Sequence, residues 1–209
     1  MPVRLTTSLT ISSLIKCASC RESLGRGAPP PHCKPYDRIR FFALSSSHQK
    51  NAALTPALFR RACGAFATGV AVATVMGRDG KPHGLTVNSF TSVSLHPPLV
   101  LICIGHRAAT HGPFSTAPHF ALNFLDETQR ELSERFASSH PARFEGLHWS
   151  PGATGAPVLE GALAVLECET WRRMDAGDHT VFFGLVQHAL VREGRPLVYF
   201  AGGYRRLAD

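Results

Sequence analysis

The chain has 209 residues, long enough for one domain of ordinary size with a sizeable core. Its hydrophobic fraction of 44% and charged fraction of 18% are those of a soluble globular protein. No apolar run reaches the roughly 18 to 20 residues that a membrane-spanning helix needs. The net charge of +7 suggests nucleic acid only until it is divided. Residues 1–53 hold eight Lys/Arg against two Asp/Glu, which is +6, and residues 54–209 hold fourteen against thirteen, which is +1. A near-neutral body offers no basic face, so neither nucleic acid nor membrane is expected as a partner.

Residues 1–53 read as a low-order N-terminal extension, and residues 54–209 as the folded domain. Arg4, Lys16 and Arg21 precede the first acidic residue, Glu22, among many Ser and Thr. Pro29-Pro30-Pro31 and the polar run Ser45 to Asn51 follow. This is the composition of an organelle transit peptide. It is equally that of a disordered extension or of upstream sequence read from a wrong start. The location is cytoplasmic if the chain is bacterial, and organellar if the extension is a transit peptide. Cys17-Ala-Ser-Cys20, with His32-Cys33 beyond, has zinc-knuckle spacing, but its surroundings offer nothing to pack. The spacing is read as coincidence, and no metal is expected. Cys63, Cys103 and Cys168 stand alone in apolar surroundings and are expected as buried, reduced thiols.

Order is expected to begin at Thr55-Pro56, an N-cap followed by proline at the first helical position. Leu58, Phe59, Ala62, Cys63 and Phe66 then form one apolar face at helical spacing, and Gly69 marks the stop. Val70 to Val75 alternates as a strand, Asp79-Gly80 supplies a hairpin turn, and His83 to Asn88 returns. Phe90 to Leu95 is a further strand, broken by Pro97-Pro98, and Leu99 to Ile104 is a continuous apolar run suited to a buried strand. Phe120 to Leu125 is another. Asp126 with Gln129 three residues on predicts a capping box opening a helix through Phe136. After a Gly/Pro-rich loop, Ser150 to Pro157, strands are expected at Leu163 to Trp171, Thr180 to Val191 and Leu197 to Phe200. Short strands without regular strand–helix alternation favour an antiparallel barrel with one or two helices attached.

The densest chemical signal is Gly84-Leu85-Thr86-Val87-Asn88-Ser89-Phe90-Thr91-Ser92-Val93-Ser94-Leu95-His96-Pro97-Pro98. Small hydroxyl and amide side chains between apolar strands suit the polar edge of a planar heterocycle, and they are also ordinary on a solvated strand face. This stretch, with Phe66-Ala67-Thr68-Gly69-Val70, Phe136-Ala137 and Gly177-Asp178-His179, resembles the flavin reductase family in order and spacing. The resemblance covers roughly residues 55–206. It implies a mainly β, antiparallel Greek-key split barrel with a few flanking helices, assembled as a homodimer. It further implies oxidation of NADH or NADPH, with reduced FMN or FAD handed to a separate flavin-dependent monooxygenase.

Carried over by that resemblance, Thr86, Val87, Asn88 and Ser89 look like the loop that meets the isoalloxazine ring. Asn88 and Ser89 have turn chemistry at a strand end as their alternative. Cys103, Ile104 and Gly105 fall where the family meets flavin by backbone, and Arg107 with Thr110 where the phosphate is held. A guanidinium and a hydroxyl suit a phosphate dianion, while Arg107 as a plain surface cation is the alternative. Ala108-Ala109 stands where many members carry hydroxyl residues, which implies loose flavin binding. His179 falls beside the nicotinamide as the catalytic candidate, and Asp178 either fixes its tautomer or serves the turn. No strand–GxGxxG–helix occurs, so nicotinamide would bind without a Rossmann domain. Other FMN enzymes on the same barrel, such as a pyridoxamine-phosphate-oxidase-like protein, and a flavin carrier without turnover are the rival readings.

Overall fold

The computed structural model describes residues 53–208. Thr55 Oγ1 accepts the Leu58 N–H at 3.1 Å and Pro56 opens α1 (Pro56–Cys63), as the sequence predicts. The strands β1 (Thr68–Gly69), β2 (Ala71–Met76), β3 (Pro82–Val87), β4 (Thr91–Leu95) and β5 (Pro98–Gly105) follow. Next come α2 (His111–Thr116), β6 (His119–Phe124) and α3 (Arg130–Ala137). The chain ends with β7 (Trp149–Pro151), β8 (Pro157–Leu159), β9 (Ala164–Ala176), β10 (His179–Val191), β11 (Val198–Phe200) and β12 (Gly203–Arg205).

Seven strands pair in the order β3-β2-β6-β9-β10-β5-β4, and every pair is antiparallel. The two edge strands, β3 and β4, are consecutive in the chain and separated only by Asn88, Ser89 and Phe90. The four Cα steps from Val87 to Thr91 span at most roughly 14 Å. The sheet therefore curls until its edges meet, giving the expected Greek-key split barrel with residues 88–90 crossing the seam. Strand β2 is buried on both faces. Ala71, Ala73 and Val75 join Ile102, Ile104, Phe120, Leu122 and Phe182 in one core. Val70 and Val72 pack outward with Leu125, Phe136, Leu159 and Leu197 in a second. A Cβ on Gly84 would lie 2.8 Å from the Phe136 ring, so glycine is what lets α3 lie on β3.

Several expectations are corrected. Helix α1 is amphipathic, but it stops at Cys63 with Gly64 as its cap rather than at Gly69, which lies in β1 beyond Phe66; no residue of the helix is buried, and Cys63 is exposed. Periodicity shows that a face is to be covered, not by what, and among the described residues no element covers it. Cys103 is half-buried, and among the described residues only Cys168 is a fully buried thiol, its pKa pushed up to about 12 by burial. Gln129 Oε1 does accept the Asp126 N–H at 3.0 Å, but Asp126 Oδ1 takes the N–H and hydroxyl of Thr128. A turn intervenes and α3 starts only at Arg130. The expected loop Ser150 to Pro157 holds the β7–β8 hairpin, pinned by Asn123, whose Oδ1 accepts the Leu159 N–H at 2.8 Å. The transit-peptide and zinc-spacing expectations fall on residues 1–52, outside the described residues. Among the described residues no helix is long and apolar enough to cross a membrane.

Candidate functional site

The predicted site residues fall into two groups along the end of β5. The first lies at the seam. Ser89 Oγ accepts the Cys103 N–H at 3.0 Å and donates to the Cys103 carbonyl at 3.1 Å. Ser89 thereby continues the β4–β5 ladder, whose register places Thr91 opposite Leu101, two residues beyond the last paired backbone. Thr86 Oγ1 donates to the Ser133 carbonyl at 2.7 Å and ties β3 to α3. These two hydroxyls are engaged within the fold, and the backbone of the loop is the part left to meet a ligand. The side chain of Val87 is buried in the barrel core, leaving only its backbone for a ligand. Asn88 is exposed and lies between two cavities. One, of about 230 Å³, is lined by Thr86, Ser133, Tyr199 and Tyr204; the other, of about 210 Å³, by Phe66, Thr68 and Phe90. Both include Asn88 and Val70, so one groove runs along the seam.

The second group sits two residues further along β5. His106 N–H donates to the Asp178 carbonyl at 3.0 Å, and Cys103 N–H turns to Ser89 on the opposite edge. Because antiparallel backbone groups alternate between neighbours, the N–H of Gly105 also faces away from β10. Gly105 is the register partner of His179, and a Cβ placed on it would be 3.5 Å from His179 Nε2. The ring thus stands directly over a residue with no side chain. His179 Nδ1 donates to Asp178 Oδ1 at 2.7 Å. That bond holds the Asp178 carboxyl below the usual carboxylate range and fixes the tautomer, leaving Nε2 toward Gly105. Gly177, with φ +64°, makes the turn that presents the pair.

Arg107 is exposed and makes no ion pair among the described residues. Thr110 is buried, and its Oγ1 has no hydrogen-bond partner among the described residues. A buried hydroxyl without a partner costs about 1 to 3 kcal/mol, which an ordered water or a ligand atom reaching it would offset. Ile104 is buried in the core and offers backbone alone. Burial pushes the Cys103 thiol up, so it is neutral at ordinary pH. No group of three or more His, Cys, Asp or Glu among the described residues has metal-binding geometry.

A flavin reductase-like domain matches residues 63–208. The chain belongs to the flavin reductase-like family. An FMN reductase (NADH) of Agrobacterium fabrum is 45% identical over 72% of this chain and 85% of its own length. The reductase subunit of a flavin-dependent monooxygenase of Mycobacterium tuberculosis is 36% identical over 74% of this chain and 83% of its own. The solved NADH:FAD oxidoreductase of Streptomyces globisporus, in complex with NAD and FAD fragments, is 42% identical with a TM-score of 0.69, covering 73% of this chain and 92% of that one.

Sequence reasoning missed Ser133, Tyr199 and Tyr204. Ser133 Oγ bonds Tyr204 Oη at 2.9 Å, and the Arg130 guanidinium lies 5.3 Å from the centre of the Tyr204 ring. Serine on an otherwise apolar helix face was the available signal for Ser133; nothing local marks the tyrosines.

Proposed function

We propose that this family member is an NAD(P)H-dependent flavin reductase that passes hydride to FMN or FAD and supplies reduced flavin to a partner monooxygenase. Its activity is assigned to residues 54–209. The observation that carries the reading is the end of β5, where the Gly105 N–H, the Thr110 hydroxyl and His179 Nε2 have no partner among the described residues. These residues fit a flavin. The His179 ring covers the Gly105 position, and the loop of Asn88 and Ser89 reaches the same strand two residues earlier, at Cys103. Arg107 and Thr110 supply a cation and a hydroxyl for the phosphate. Ala108-Ala109 adds no side-chain donor, which favours a flavin that comes and goes.

The chemistry the cofactors supply is direct hydride transfer from nicotinamide C4 to flavin N5. The protein aligns the rings and excludes water. Backbone N–H groups of the seam loop and of Gly105 stabilise negative charge on the ring carbonyls. His179, held by Asp178, orients the nicotinamide from the open side.

A homodimer accounts for the uncovered apolar surface. Leu58 and Phe59 of α1 are exposed, and Phe66 beside the groove is 77% exposed. Exposed large apolar side chains of this kind are what a subunit interface would cover. The relatives are bacterial, which supports a cytoplasmic location.

Mixing the purified protein with NADH or NADPH, with and without FMN or FAD, tests the function. Flavin-dependent loss of nicotinamide absorbance is expected, saturating with added flavin. Absence of flavin-dependent oxidation overturns the reading. Sedimentation at micromolar concentration is expected to give a dimer, and a monomer refutes that part.

A further inference from the structure

Thr180 is buried, and its hydroxyl has partners on opposite sides. It donates to Asp175 Oδ1 at 2.8 Å, across the β9–β10 hairpin where the two residues are register partners. On the other side stands His111 Nε2 at 2.9 Å. A hydroxyl carries one proton, and the carboxylate takes it, so His111 donates from Nε2. Asp175 Oδ1 also lies 3.6 Å from His106 Nε2, and the His106 and His111 rings meet edge-on at 5.2 Å. The backbone adds a further tie, the His106 N–H to the Asp178 carbonyl.

Both ends of segment 106–111 are therefore fastened to the 175–180 hairpin. Arg107 and the unpartnered Thr110 lie between the fastenings on one side. His179 lies between Asp178 and Thr180 on the other. None of His106, His111, Asp175 or Thr180 is needed to hold the barrel closed, since β5 and β10 pair from His179 to Leu185 regardless.

We propose that Asp175 and Thr180 are positioning residues that couple the two halves of the site. A flavin phosphate seated on Arg107 and Thr110 fixes segment 106–111. Through His111, Thr180 and Asp175 it also fixes the hairpin that presents His179 to the nicotinamide. The proposal rests on the assignment of those halves made above. Coupling between two binding events is reciprocal, so nicotinamide also tightens a phosphorylated flavin.

The test compares FMN with riboflavin, which has the same ring and no phosphate, each at saturation, with NADH as the varied substrate. The wild-type kcat/KM for NADH is expected to be about fivefold or more higher with FMN, the difference lying in KM. Thr180→Val removes both hydrogen bonds, brings that ratio to about one, and abolishes the tightening of FMN binding by NAD+ that flavin fluorescence reads in the wild type without turnover. Thr180→Ser keeps the hydroxyl and restores it. A purely structural role would lower rates with both flavins alike and leave the ratio in place. Should Thr180→Val fail to fold, His111→Phe keeps the ring and removes the donor, with the same loss of ratio expected. A wild-type ratio of one, or a ratio that survives in the folded variants, overturns the proposal. Failure of the wild type to oxidise NADH with either flavin is a different outcome, that of the reductase reading itself, and it is seen before any variant is made.

Discussion

Replacing Ser89 by alanine separates a structural hydroxyl from a ligand-binding one. Ser89 Oγ makes two hydrogen bonds with the Cys103 backbone, at 3.0 and 3.1 Å, and they tie the seam-crossing loop to β5. Each bond contributes about 1 kcal/mol net, and the orphaned, half-buried Cys103 N–H adds about 1 kcal/mol at the lower end of its range. The expected loss is about 2 to 3 kcal/mol, which for a domain of this size is a fall in Tm of about 4 to 12 °C. Backbone groups of the loop survive the substitution, so the flavin KM well below the melt is expected to rise only about threefold, less than the factor of ten that 1.4 kcal/mol of direct contact represents. Thermal denaturation by circular dichroism and steady-state kinetics at 25 °C, a temperature at which the variant stays folded by this reckoning, give both quantities. An unchanged melt together with a flavin KM raised tenfold or more would refute the reasoning, because the hydroxyl would then be working on the ligand.

Asn123→Leu is expected to cost about 3 to 5 kcal/mol, because it removes the bonds to Val72, Thr74 and Leu159 and strands the buried Leu159 N–H. Urea denaturation should show a lower midpoint at the same slope, and an unshifted midpoint would count against it. Asp178→Asn keeps an acceptor for His179 Nδ1 but loses the charge, and a fall of about fivefold in kcat/KM for NADH is expected. Because the Asp178 carboxyl is held below its usual range, the wild type should keep this advantage down to at least about pH 4. Glu167 is pushed up by burial, but the N–H and hydroxyl of Thr154 and the N–H of Ala153 outweigh this and lower its pKa. A depressed carboxyl stabilises the fold above its ordinary pKa of 4.5 and loses that contribution as pH falls through the folded value. Glu167→Gln should therefore melt below wild type at pH 7, with the gap closing in acid; a gap that persists unchanged would refute the assignment.

The positions of the elements were legible in the sequence because they follow from local periodicity and turn chemistry. The N-cap at Thr55, the Asp79-Gly80 turn and the buried run of β5 are all local events. Their order, with the family resemblance, was enough to anticipate the barrel. Hydroxyl roles were not legible, because a hydroxyl's partner is chosen by tertiary contact. Ser89 finds Cys103 fourteen residues away and Thr86 finds Ser133, whereas Thr110 finds nothing and stays available. The chain of His111, Thr180 and Asp175 joins residues that share no motif and meet only because β5 and β10 pair. The β7–β8 hairpin looked like loop because the buried Asn123 that captures it belongs to a strand thirty-six residues earlier than its partner Leu159. The apolar face of α1 marks the limit from the other side: its spacing showed that something must cover it, and the folded domain leaves it exposed.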